Sequence, residues 1–294
     1  MNAKLYTPVE DIPLPFRIDH TSSIVSIGSC FSDEIGQRLA AGGFEICFNP
    51  FGTLYNPASI ANALHRIIDD REITIHDLVQ HDCLWHSWHH HGSFSRPTAE
   101  ECLDACNTSI HQAHLALRKA SLLIVTFGTA WVFERAESGT EAVVANCHKL
   151  PPQNFVRHKM AVDEIVALWQ PLLDKLTQAF AQSNIQTVFT VSPIRHMADG
   201  AHGNQLSKST LLLAIDQLIH SPKHSSIHYF PAYEIVLDEL RDYRFYGPDL
   251  THPSPLAADI VYERFQQATM SPATIQQAHN NEKQHKREKH IPIH

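Results

Sequence analysis

Short apolar runs in this chain alternate with longer segments whose apolar residues recur every three or four positions. The runs at residues 23–27, 44–48, 122–127, 187–191 and 227–230 have the length and branched or aromatic content of buried strands. Between them, Phe31, Ile35 and Leu39 mark one helix, and Ile60, Ala63, Leu64, Ile67 and Ile68 a second. Ile165, Val166, Leu168, Trp169, Leu172, Leu173 and Leu176 mark a long helix that Pro171 should bend or break. Leu211, Leu212, Ile215 and Leu218 mark another, and shorter helices are expected over 234–240 and 256–267. Boundary signals agree with this reading. Gly42-Gly43 suits a C-cap, and Asn56 before Pro57 suits an N-cap followed by a first-turn proline. Thr98 with Glu101 forms a capping box for a helix running to about residue 117. Strands alternating with helices predict an α/β fold, a three-layer α/β/α sandwich around a mostly parallel sheet of about five strands.

Some stretches break the alternation. Residues 1–22 read as an extended lead-in that packs on the surface. Residues 71–97 hold His81, Trp85, His86, Trp88, His89, His90 and His91 with few aliphatics, and are expected to form an inserted lid over a site. Residues 131–133 and 142–146 suggest a hairpin around residues 137–140. Residues 197–205 read as a polar loop. Residues 271–294 are polar and charged, and are expected to be a disordered tail behind a single domain over 1–270.

Charge and composition narrow the function classes. With a formal net charge of -8 and no long basic run inside the folded part, nucleic acid is not an expected partner. No apolar run reaches membrane-spanning length, and the N-terminal residues lack the layout of a signal peptide, so a cytoplasmic location is expected. The 6 cysteines contain no CxxC pair and read as reduced thiols. The 22 histidines are clustered, but His86, His89, His90 and His91 lack the spaced partners of a zinc site, so neither metal nor cofactor is expected.

Chemistry concentrates at two places. Ser29 and Cys30 follow Gly28 at a strand-to-helix turn, the carboxyl edge where open α/β sheets bind ligands. A helix amino terminus there offers free N–H groups that favour a thiolate or an oxyanion, and a neighbouring imidazole would lower the thiol pKa further. Asp33 and Glu34 act in the opposite sense. Far along the chain, Asp249 and His252 lie three residues apart, so one turn can bring the carboxylate to the imidazole and fix its tautomer. Arg195 and His196 end another strand on the same edge. Arg195 suits either a substrate carboxylate or phosphate, or a structural salt bridge.

The pentapeptide Gly28-Ser29-Cys30-Phe31-Ser32 resembles the first block of the SGNH/GDSL hydrolase superfamily, and more closely its GSCFA branch, with Ser32 in place of the usual Ala. The resemblance runs to about residue 268. It implies a flavodoxin-like SGNH fold with Cys30 at the nucleophile position and Ser29 at the Asp position, leaving Ser29 as the rival nucleophile. Asp249-x-x-His252 matches the last block and completes the order nucleophile, Asp, His. Gly52 falls where the second block has its glycine, and Gly128-Thr129-Ala130 where the third has Gly-x-Asn. Ala130 removes the usual side-chain amide, so Thr129, Trp131, Arg195 or His196 would have to supply the missing oxyanion donor. His90 is assigned to substrate contact from the lid. The resemblance implies an acyl-ester hydrolase acting on a small-molecule or glycan acyl substrate, such as an O-acetylated sugar. The alternatives are an acyl-CoA-dependent acyltransferase with the same Cys nucleophile, and a degenerate fold that binds acylated glycans without turnover.

Overall fold

The computed structural model describes residues 7–10, 13–136, 143–221 and 226–289. In chain order the elements are β1 (Ser23–Gly28), α1 (Cys30–Ala41), β2 (Glu45–Phe48), α2 (Pro57–Asp69), β3 (Leu78–His81), β4 (Leu84–Ser87), α3 (Ala99–Lys119), β5 (Leu122–Phe127), β6 (Trp131–Arg135), β7 (Phe155–Lys159), α4 (Val162–Ala179), β8 (Gln186–Val191), α5 (Gly200–Ile219), β9 (Ile227–Tyr229), α6 (Ala232–Glu234), α7 (Pro255–Thr269) and α8 (Pro272–Lys289). A π-helical stretch, Ile235–Leu240, continues α6.

Five of the strands form one parallel sheet in the order β2-β1-β5-β8-β9. Counted among themselves they run 2-1-3-4-5, the doubly wound order of flavodoxin-like folds. Period-two alternation sends side chains to opposite faces. Val25, Ile27, Leu123, Val125, Phe127 and Phe189 pack under α2, α3, α4 and α5 around the fully buried Trp169. Ile24, Leu122, Ile124 and Val188 pack against Phe31, Ile35 and Leu39 of α1 and Val261 and Phe265 of α7. The strand order reverses between β1 and β5, so a crevice is expected at their carboxyl ends.

Several expectations need correction. Residues 71–97 are not a lid. They form the antiparallel hairpin β3–β4 and a 3-10 turn, Gly92–Phe94, and β4 packs against α3. Their imidazoles are internal polar links. His86 bonds Ser95 Oγ at 2.6 Å and the His81 carbonyl at 3.0 Å, and His89 bridges Asp77 and Arg66 at 3.0 and 2.8 Å. Pro171 lies inside a continuous α4. The hairpin partner of β6 is β7, and the 142–146 segment contributes an isolated bridge at Val143. The expected turn at residues 137–140 lies outside the described residues. Helix α5 starts at Gly200, inside the expected loop, because Asn204, Ser207 and Lys208 already face the interior.

Much of the expected disordered tail is α8. A narrow stripe suffices to dock it: Ala278 is fully buried, Thr274 nearly so, and Asn281 Nδ2 donates to the Gly42 carbonyl at 2.8 Å. The remaining face is polar, which hid the stripe at the level of composition. The lead-in behaves as expected where it is described. Leu14 and Ile18 are buried, and their N–H groups bond the Ala268 and Thr269 carbonyls at 3.3 and 2.8 Å. Deleting residues 271–294 should therefore remove roughly 1–2 kcal/mol of packing and lower Tm by about 2–6 °C in a thermal melt. An unchanged Tm would mean that α8 does not stabilise the fold.

Candidate active site

The turn after β1 is fixed by its neighbours. Gly28 adopts a φ of 149°, and a Cβ there would come within 2.2 Å of the Thr126 carbonyl oxygen, so only glycine fits. Its N–H donates to Asn49 Oδ1 at 2.8 Å, while its carbonyl accepts from Leu54 N–H at 2.8 Å. Asn49 itself takes a left-handed φ of 44°, which asparagine tolerates, and its Nδ2 reaches Asp33 at 2.7 Å. This residue ties β2 to the turn. Sequence reading followed Gly52 in the same loop and passed over it.

Ser29 is the N-cap of α1. Its Oγ accepts from Phe31 N–H at 3.3 Å, and the residue is only 1% exposed. Cys30 is the first helical residue, and its side chain lines a cavity of about 720 Å³. His252 and Thr251 line the same cavity, as do Tyr55, Thr129, Trp131, Cys147, Arg157, Arg195 and His196. Asp249 holds His252 directly. Its Oδ2 lies 2.5 Å from His252 Nδ1, and its Oδ1 accepts the backbone N–H groups of Thr251 and His252 at 3.0 Å each. Those bonds hold the Asp249 carboxyl well below the usual carboxylate range, with the two backbone donors acting first. Both side chains are open to solvent, His252 at 55% and Asp249 at 49%.

Among the described residues no hydrogen bond joins Cys30 to His252. The Cys30 thiol pKa is raised, not lowered. Burial is the first cause and the charges of Asp33 and Glu34 add to it, outweighing the N–H groups of Cys30 and Phe31. Of the opposing effects set out from the sequence, burial with the two carboxylates outweighs the helix end.

The other anticipated residues divide. Gly52 N–H donates to the Asn49 carbonyl at 2.8 Å, and Gly128 and Thr129 N–H both donate to the Tyr55 carbonyl at 2.8 and 2.9 Å. None of these three donors is left for an oxyanion, and neither Gly52 nor Gly128 lines the cavity. Thr129 Oγ1 lies 3.0 Å from Ser207 Oγ and accepts Trp131 N–H. The Ala130 N–H is also taken, by Ser207 Oγ at 2.8 Å. His90 lies in the core, stacked 4.2 Å from Phe51, and cannot contact substrate from there. Trp131 remains in the wall under the Arg157 guanidinium, 4.0 Å from its ring centroid, and its indole Nε1 is buried without a partner. His196 stays in the wall as a neutral ring. Burial, followed by the charge of Lys208, pushes its pKa down to about 4.

Lys208 was missed altogether. It is 1% exposed on α5, and its ammonium donates to the carbonyls of Gly128 at 2.6 Å and Ser192 at 2.7 Å. It thereby ties together the loops that leave β5 and β8. Burial pushes its pKa down to about 7, against a small opposing effect of Cys30. A signal existed: Leu211 and Leu218 extend backwards at helical spacing to residues 208 and 204, placing a charge on a core-facing stripe. Alkylation of Cys30 by iodoacetamide should therefore be slow at pH 7 and rise about tenfold per pH unit through pH 9, as the thiolate fraction grows. A plateau already reached near pH 7 would show that a Cys30–His252 ion pair exists at rest.

The profile of the GSCFA family matches residues 23–265, and the chain belongs to that family. No curated protein matches it. Among solved structures, it is similar to a protein described as an acylhydrolase from Bacteroides fragilis, at 11% identity and a TM-score of 0.41, over 87% of this chain and 89% of that one. It is also similar to a carbohydrate esterase family 3 protein from Talaromyces cellulolyticus, at 8% identity and a TM-score of 0.38, over 88% of this chain and 99% of that one. No described helix is long and apolar enough to cross a membrane.

Proposed function

We propose that this GSCFA-family chain is an acyl-ester hydrolase of SGNH type, with Cys30 as nucleophile, His252 as general base and acid, and Asp249 as the group that orients His252. The observation that carries the reading is the single cavity into which Cys30 and the Asp249-held His252 both open, from opposite ends of the sequence. It lies at the carboxyl edge of β1, beside the crossover between β1 and β5.

In the proposed reaction, a bound ester displaces water and draws His252 Nε2 to the Cys30 thiol, a contact that often tightens only with substrate in place. His252 takes the thiol proton as Cys30 Sγ bonds to the carbonyl carbon, and the carbonyl π pair moves onto oxygen. The Cys30 N–H at the start of α1 faces that charge, as a helix amino terminus should. Asp249 stabilises the imidazolium. As the carbonyl re-forms, the C–O bond to the alcohol breaks and His252 gives its proton to the departing oxygen. Water then attacks the thioester with His252 again taking the proton, the carboxylic acid leaves, and the Cys30 thiol is restored. Ser29 is the weaker nucleophile candidate because its hydroxyl is buried and occupied as a helix cap. The large, aromatic-walled cavity suits an acylated sugar or small glycan.

Chromogenic acetyl esters, assayed with and without coenzyme A, test the reading. Cys30→Ala should abolish hydrolysis, and His252→Ala should reduce kcat by about a hundredfold or more. Ser29→Ala should keep a far larger share of the activity while costing about 0.5–2 kcal/mol of stability through the lost cap. Transfer that requires coenzyme A would favour an acyltransferase, and full activity in Cys30→Ala would refute the assignment.

A further inference from the structure

Two arginines line the cavity that holds Cys30, and they differ in one respect. Arg157 is committed. It forms an ion pair with Asp199 and covers the Trp131 and Phe133 rings at 4.0 and 5.4 Å. Arg195 is not. Among the described residues its guanidinium makes no ion pair and no hydrogen bond. Only its backbone is anchored, through an N–H bond of 3.0 Å to the carbonyl of Thr251, the residue before His252. The structural salt bridge that would have explained an arginine here is therefore absent. What remains is a half-buried cation in the cavity wall, fixed at its base beside His252 and close enough to Tyr233 and Tyr246 for its charge to act on both hydroxyls, in a chain whose net charge is -8. Partial burial of a guanidinium without an ionic partner costs stability, so a structure that keeps one in the same cavity wall as Cys30 and His252 retains it against a penalty.

We infer that Arg195 is an anion subsite, and that the substrate is an acyl compound carrying an oxyanion group, a carboxylate or a phosphate, which the guanidinium grips with two parallel N–H bonds. The planar fork of arginine matches such groups, and the Tyr55, Trp131 and Phe133 rings in the same wall lower the local polarity around it. The inference rests on the acyl-ester reading above and narrows its substrate class. A charge gripped beside His252 also fixes the ester's orientation relative to Cys30, so the effect belongs to binding and positioning rather than to proton transfer.

The test pairs two nearly isosteric esters, 4-nitrophenyl hydrogen succinate and 4-nitrophenyl butyrate, which differ by a carboxylate in place of a methyl group. The full chain should prefer the succinate ester in kcat/KM, and in Arg195→Met the succinate-to-butyrate ratio should fall about tenfold or more. Arg195→Lys should restore part of that ratio. Inorganic phosphate should compete with the succinate ester in the native chain and compete less in Arg195→Met. If phosphate competes far better than free succinate, the natural group is a phosphate; the reverse order indicates a carboxylate. A second arm needs no turnover. Calorimetry on Cys30→Ala should show monomethyl succinate binding at least about tenfold tighter than methyl butyrate, and the difference should vanish when Arg195→Met is added. Arg195-dependent binding without hydrolysis of either ester would leave the anion subsite standing and bring down the hydrolase reading. Hydrolysis of both esters at a ratio that Arg195→Met does not change would overturn the subsite alone.

Discussion

The tether between Asn49 and Gly28 is the contact on which the rest of the site depends. Gly28 can pass under Thr126 only because it has no side chain, and its N–H is then satisfied by Asn49 Oδ1. With that turn fixed, Ser29 falls at the cap of α1 and Cys30 at its first position, opening into the cavity. The same asparagine reaches Asp33 in the first turn of α1. One side chain therefore joins β2, the end of β1 and the start of α1. A second clamp lies across the sheet, where the Lys208 ammonium gathers the Gly128 and Ser192 carbonyls. Between the two clamps lies the point where the strand order reverses, and such points bind ligands in open α/β sheets.

Electrostatics set the resting state. Burial and two nearby carboxylates push the Cys30 thiol pKa up, while backbone donors push the Asp249 carboxyl down and its side chain holds the His252 ring. His252 and Cys30 share a cavity without touching. An arrangement of this kind holds its reactivity back until a ligand expels water and brings the two groups together. The N–H groups of Gly52, Gly128 and Thr129 are already spent on the Asn49 and Tyr55 carbonyls. Charge on a developing oxyanion would therefore fall chiefly on the Cys30 N–H and on side chains of the wall.

The sheet was legible because its five strands are continuous apolar runs separated by helical periodicity, and no other packing buries both. The GSC turn and the Asp249–His252 pair were legible because each depends on local spacing. What failed depended on long-range partners. The histidine-rich stretch looked like a lid because nothing local reveals that His89 meets Asp77 and Arg66, or that His90 stacks on Phe51. The tail looked disordered because its docking stripe is only a few residues wide. Lys208 was passed over because a charged side chain was not tested against the helical stripe it sits on. The net direction of the Cys30 shift was not legible because sequence reveals the helix end and the flanking carboxylates but not the depth of burial.

The central claim is that acyl transfer runs through the sulfur of Cys30. Acid-quenching the full chain seconds after mixing with 4-nitrophenyl acetate, followed by peptide mapping by mass spectrometry, addresses it directly. The account predicts one acetyl group as a thioester on Cys30, lost on treatment with neutral hydroxylamine, and its absence from Cys30→Ala. An acetyl ester on Ser29 with Cys30 unmodified would contradict it.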